Sequence, residues 1–105
     1  MSILEVAVLP VIPGQEAEFQ AAFAQAQKII SSMHGYIRHD LQRCIEVPNQ
    51  YLLLVEWETL ADHTEGFRGS AEYQSWKALL HHFYDPFPVV EHYEAIDWEG
   101  NYGTT

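Results

Sequence analysis

Residues 51–57 read Tyr-Leu-Leu-Leu-Val-Glu-Trp, a β-prone run that is apolar on both of its faces. Successive side chains of an extended chain point to opposite sides, so Leu52 and Leu54 share one face while Tyr51, Leu53, Val55 and Trp57 share the other. A strand of this kind belongs inside a sheet that is covered on both sides. Residues 2–12 repeat the pattern, with Leu4, Val6 and Val8 opposed to Ala7 and Leu9 and an irregular end at Pro10.

Between and after these strands the period changes. Pro13-Gly14 breaks the first strand, and from Gln15 to Met33 the residues Phe19, Ala22, Phe23, Ala26, Ile30 and Met33 recur at helical spacing. Gly35 is placed for a left-handed cap. Tyr36 to Glu46 alternates, with Ile37, His39 and Leu41 on one face and Tyr36, Arg38, Asp40 and Gln42 on the other, as in a strand near a sheet edge. Residues 47–50 form a turn by composition, so this strand and the one over 51–58 make an antiparallel hairpin. Thr59 caps a short helix through Phe67, with Asp62 in the reciprocal position. Ser70 caps a second helix from Ala71 to about Tyr84, where Tyr73, Trp76, Leu80 and Phe83 share a face and Asp85-Pro86 forces a stop. Residues 88–96 are the last strand.

The order is β-α-β-β-α-β, the ferredoxin-like α+β arrangement, a four-stranded antiparallel sheet with both helices on one face. At 105 residues the chain fits a single domain, with a core over about 3–97 and a polar C-terminal tail over 98–105. The helices leave one apolar sheet face uncovered. The simplest cover is a second copy of the chain, so the pattern predicts a homodimer packed sheet to sheet.

Fifteen acidic residues against five basic ones leave a formal net charge of −10 at pH 7. Such a chain repels phosphate backbones, and no lysine–arginine cluster offsets this locally, so neither nucleic acid nor an anionic membrane is an expected partner. No apolar run approaches the roughly 20 residues needed to span a bilayer. The N-terminal MSILEVAV has no basic region or small-residue cleavage site, and the single Cys44, read as a small buried residue in a strand, permits no internal disulfide. A reducing cytoplasm is the expected compartment.

Six histidines raise the question of a metal, but His81 and His82 are adjacent and point to different sides of a helix, and no HxxxH or CxxC spacing occurs. No nucleophile elbow, phosphate loop or dinucleotide fingerprint is present, so no metal, flavin, nicotinamide or nucleotide cofactor is expected. An aromatic and imidazole lining remains: Trp57, His63, Phe67, Arg68, Tyr73, Trp76, Lys77 and His92. Trp57 and Trp76 also read as ordinary core, His63 as a solvated helix residue and His92 as a hydrogen-bonded core histidine. A polar group on an apolar face is nevertheless where a pocket places its base.

The segment YLLLVEWETLADHTEGFRGSAEYQSW, preceded by HGYIRHDLQRC and followed by FPVVEHYEAI, resembles the antibiotic-biosynthesis monooxygenase domain family of the dimeric α+β barrel superfamily. The resemblance runs over about residues 3–97 and rests on Pro13-Gly14, on Gly35 opening the second strand, and on Trp57-Glu58-Thr59 closing the third. It implies a pocket between helices and sheet. The family's pocket tryptophan corresponds to Trp57; its asparagine falls on Leu53, its tyrosine on His63, and its arginine near Lys77. In one branch of the family, cofactor-free enzymes oxidise anthrones or quinols with O2. A second branch degrades haem, but its strand-one asparagine is replaced here by Val6 or Ala7 and its histidine ligand falls near Trp76 or Lys77, one turn before His81 and His82. A third isomerises or binds small molecules.

On this resemblance the expected activity is a cofactor-independent monooxygenase acting on a small aromatic quinol or anthrone with O2. The alternative is a non-catalytic binder or an isomerase on the same dimeric scaffold. His63 is the expected base, with His92 next in line, and Lys77 or Arg68 stabilises the substrate anion. Trp57, Phe67, Tyr73 and Trp76 form an aromatic slot with Leu53. Nothing in the spacing marks His63 as a core anchor.

Overall fold

The computed structural model describes residues 2–98; the tail over 99–105 lies outside the described residues. Strand β1 (Ile3–Pro10) is followed by helix α1 (Glu16–Ile30), then by strands β2 (Tyr36–Arg43) and β3 (Gln50–Trp57). A π-helical segment (Asp62–Phe67) leads to helix α2 (Ala71–Leu80), a single 3-10 turn (His81–Phe83) and strand β4 (Val89–Tyr93). The sheet runs β2-β3-β1-β4 with every neighbouring pair antiparallel. This is the expected ferredoxin-like α+β sheet with helices on one face.

The covered face carries the core. Ala7 and Leu9 of β1 and Tyr51, Leu53, Val55 and Trp57 of β3 are buried beneath Phe19, Phe23, Ala26 and Ile30 of α1 and Trp76 and Leu80 of α2. On the opposite face, Val8 lies between Val89 and Leu52, and Val6 beside Leu54. Val8, Val89 and Tyr93 are exposed there, and Leu4, Val6, Leu52 and Leu54 are half-buried. No helix among the described residues is long and apolar enough to cross a membrane.

Local departures from the expected elements have identifiable causes. A β-bulge between Tyr36 and Arg38 inserts Ile37 as an extra residue, which reverses the phase of the start of β2. Tyr36 therefore joins His39 on the covered face, where its hydroxyl contacts His39 Nδ1, and Ile37 is exposed. Cys44 follows the end of β2 and is half-buried in the connecting turn, where its Sγ accepts the Val47 N–H at 3.3 Å. Helix α1 ends at Ile30, so Gly35, with φ +83°, serves the turn into β2 rather than a helix cap; a Cβ there would collide with the Asp62 side chain. Helix α2 ends at Leu80 and β4 at Tyr93, leaving Ile96 exposed beyond it.

The Thr59 cap forms as expected: the Asp62 N–H donates to Thr59 Oγ1 at 3.1 Å. The segment after this cap is not an α-helix. The Arg68 N–H donates to the His63 carbonyl at 3.1 Å, an i→i+5 bond that widens the turn into π geometry. Gly69 closes the segment, because a Cβ at that position would stand 2.5 Å from the Glu65 carbonyl oxygen.

Candidate active site

Glu5 is in phase with Ala7 and Leu9 on β1, so its side chain enters the covered face, where it is 5% exposed. Two elements converge on it. Trp57, diagonal to Glu5 across the β1–β3 pair, donates its indole N–H to Oε1 at 3.0 Å. The π segment brings His63 Nε2 to 3.3 Å from the same oxygen and lays its ring on Trp57, with centroids 5.4 Å apart and planes at 18°. Oε2 accepts no hydrogen bond from the described residues. His92, paired with Glu5 in the β1–β4 register, completes the group with Nε2 at 2.8 Å from His63 Nδ1.

Burial sets the protonation of this group. It pushes the Glu5 carboxyl up to about 7, against the Trp57 hydrogen bond and the Arg68 charge, which favour the carboxylate. Burial also holds His63 down to about 3, and Arg68 and His92 act in the same direction. His92 is lowered by burial and then by Arg68. The Glu5–His63 contact is therefore the approach of a neutral imidazole to the carboxyl, not an ion pair. His63 and His92 share one hydrogen bond between Nδ1 and Nε2, whose direction follows the tautomer.

Glu5 and His63 form one wall of a cavity of about 170 Å³ between the helices and the sheet. Phe67, Tyr73 and Trp76 line it, with Leu53 also in the lining and the exposed Arg68 on its rim. Trp57 is fully buried behind His63 and supports the wall without lining it. His92 reaches His63 and lies outside the lining. Lys77 is exposed on the far side of α2: Tyr73, Trp76 and Leu80 turn inward, and the residue after Trp76 is rotated by about 100°. His63 is 3% exposed and packed on both Trp57 and Phe67, so it is a core residue as well as a site residue.

Glu5, Tyr84 and Phe87 join the site without having been singled out by sequence pattern, and His81, considered above only as a metal or haem ligand, lines the cavity as well. Tyr84 and Phe87 arrive through the 3-10 turn and the loop beyond it, and burial raises the Tyr84 phenol well above its ordinary value, keeping it a donor. His81 faces the cavity while His82 is exposed, so the adjacent pair does point to different sides. Among the described residues no group of three His, Cys, Asp or Glu side chains is placed to hold a metal ion.

A ferredoxin-like sheet with a carboxylate and an imidazole walling an aromatic cavity defines a small-molecule α+β scaffold. The antibiotic biosynthesis monooxygenase family profile matches residues 2–79. The uncharacterized protein YczJ of Bacillus subtilis (strain 168) is 62% identical over 94 residues, covering 90% of this chain and 99% of that protein. The chain belongs to the antibiotic biosynthesis monooxygenase family. A Bordetella bronchiseptica crystal structure of the antibiotic biosynthesis monooxygenase type is 38% identical, with TM-score 0.87 over 90% of this chain and 97% of its own. SnoaB, a cofactor-independent oxygenase from Streptomyces nogalater, shares the fold at 20% identity and TM-score 0.74, over 92% and 95% of the two chains.

Proposed function

We propose that the protein is a cofactor-independent oxygenase that removes a proton from a small phenol or quinol and lets the resulting anion react with O2. The observation that carries this reading is Glu5, a buried carboxylate at the wall of an otherwise aromatic cavity. Its Oε1 accepts from Trp57 and lies 3.3 Å from His63 Nε2, and its Oε2 is left without a hydrogen-bond partner among the described residues. A general base works best when its pKa lies near the working pH, which burial achieves for Glu5. Glu5 thus takes the substrate proton, and the neutral His63 ring packs beside the carboxylate and walls it in. The phenolate supplies the electrons. For a phenol with a free ortho or para carbon, one oxygen atom becomes the new quinone carbonyl and the other leaves as water, carrying the two hydrogens lost by the substrate. Arg68 is the cation nearest this chemistry.

The working unit in this reading is a homodimer of single-domain protomers packed through the open apolar face of the sheet. What supports it is the row of exposed and half-buried Val8, Val89, Leu52 and Leu54, which water covers at a cost. The deciding experiment is oxygen uptake by purified protein with a panel of phenols, hydroquinones and anthrones and no added cofactor. Uptake with stoichiometric quinone supports the reading; binding without uptake across the panel leaves a binder or isomerase in its place.

A further inference from the structure

Arg68 differs from the two other arginines, and unlike the two lysines it lies on the cavity rim. The chain carries three acidic residues for every basic one, and Arg38 is paired with both Asp40 and Glu56, while Arg43 donates to the Pro48 carbonyl and lies over Tyr51. Arg68 makes no salt bridge or side-chain hydrogen bond among the described residues, although it sits on the cavity rim in a strongly anionic protein. A guanidinium kept unpaired at a cavity mouth is a ready two-point receptor for a carboxylate.

The cavity sets the rest of the ligand. A cavity of about 150 Å³ lined by apolar side chains takes up benzene, so about 170 Å³ suits one aromatic ring with a small substituent rather than a fused tricycle. Its two polar ends differ. Glu5 is buried, whereas Arg68 is at the solvent edge with its charge still acting on Glu5. A ligand that fills both ends carries a hydroxyl at one side of the ring and an anionic group at the other. Its carboxylate stays hydrated at the rim beside Arg68.

We infer that Arg68 is a specificity-determining residue that selects single-ring phenols bearing a carboxylate, the hydroxybenzoate class. The catalytic part of this assignment rests on the oxygenase reading; the selection by charge does not. The test is a binding measurement by calorimetry or Trp fluorescence, with 4-hydroxybenzoate and its neutral isostere 4-hydroxybenzamide as probes. The carboxylate should bind the wild-type protein at least about ten-fold more tightly than the amide, the scale of a charge-assisted contact. In Arg68→Gln the amide should keep its affinity while the carboxylate binds no better than the amide, because the remaining field of the protein repels anions. Arg68 is exposed, so the thermal midpoint reports folding of the variant independently. A hydroxylated anthracene carboxylate should not compete. Equal affinities in the wild type, an unchanged preference in Arg68→Gln, tight tricycle binding, or binding of neither probe each overturns the inference. Selective binding without oxygen uptake would sink the oxygenase reading alone and leave the role of Arg68 standing.

Discussion

Trp57 and Glu5 are 52 residues apart in sequence, and the indole N–H of one donates to the carboxylate of the other at 3.0 Å inside the sheet's covered face. This bond and burial act on Glu5 in opposite directions, and burial prevails. Trp57→Phe keeps the aromatic wall and removes only the donor. Glu5 should then hold its proton to higher pH, moving the rising, acid-side limb of the rate profile up by about one unit, the equivalent of one charge-assisted hydrogen bond. A profile that stays in place would show that Glu5 is not the group that titrates.

Glu5→Gln removes the base with almost no change of shape. Turnover should fall roughly 10²- to 10⁴-fold, measured as oxygen uptake on whichever substrate the wild type accepts. Full activity would transfer the role elsewhere.

Stability depends on pH through the same two groups, with opposite signs. The folded-state pKa of Glu5 is raised from 4.5 to about 7, so its contribution is complete below about pH 4.5 and is lost as pH rises through 7. His63 is lowered from 6.5 to about 3, so its contribution grows as pH rises from about 3 to 6.5. The two slopes oppose each other between pH 4.5 and 6.5. Relative to the wild type, Glu5→Gln should therefore gain thermal midpoint across that window. Midpoints that run parallel with pH would contradict the Glu5 shift.

His63→Ala should cost stability as well as turnover, on the order of 2–4 kcal/mol, because it opens a hole between Trp57 and Phe67. His63→Gln retains an N–H donor toward Glu5 and should keep more activity than the alanine variant. Denaturant melts and turnover on both proteins separate packing from orientation. Lys77→Ala, by contrast, should leave turnover within about two-fold, since exposed positions of this kind are usually neutral.

The outer sheet face makes its own prediction. Sedimentation at micromolar concentration should give about twice the protomer mass, and Val8→Lys combined with Val89→Lys should shift the protein toward monomer by placing charge on the exposed apolar row. A wild-type monomer would require some other cover for that face.

The sheet is legible in the sequence because its signal is local: β1 and β3 alternate without interruption, and the turn between β2 and β3 is written in Pro48 and Asn49. The inward set of β2 is not, since one inserted residue, Ile37, inverts a period-two pattern without changing its composition. A single helical step separates Lys77 from the inward face of α2, too fine a distinction for spacing alone. Glu5 is hidden among fifteen acidic residues, yet its phase with Ala7 and Leu9 already places a carboxylate on the covered face. Tyr84 and Phe87 depend on the path of the chain after α2, which no periodicity encodes.

The π segment ties two functions to one backbone bond, for the Arg68 N–H that donates to the His63 carbonyl links the residue on the rim to the one at the wall. The span between them is thus counted in residues rather than shaped by side chains. Loss or gain of one residue within 62–67 would reset the length of ligand the cavity measures while leaving the sheet untouched. Relatives that differ there by a single codon should differ in the ring size they accept, a divergence that binding assays on length variants of this segment would detect or refute.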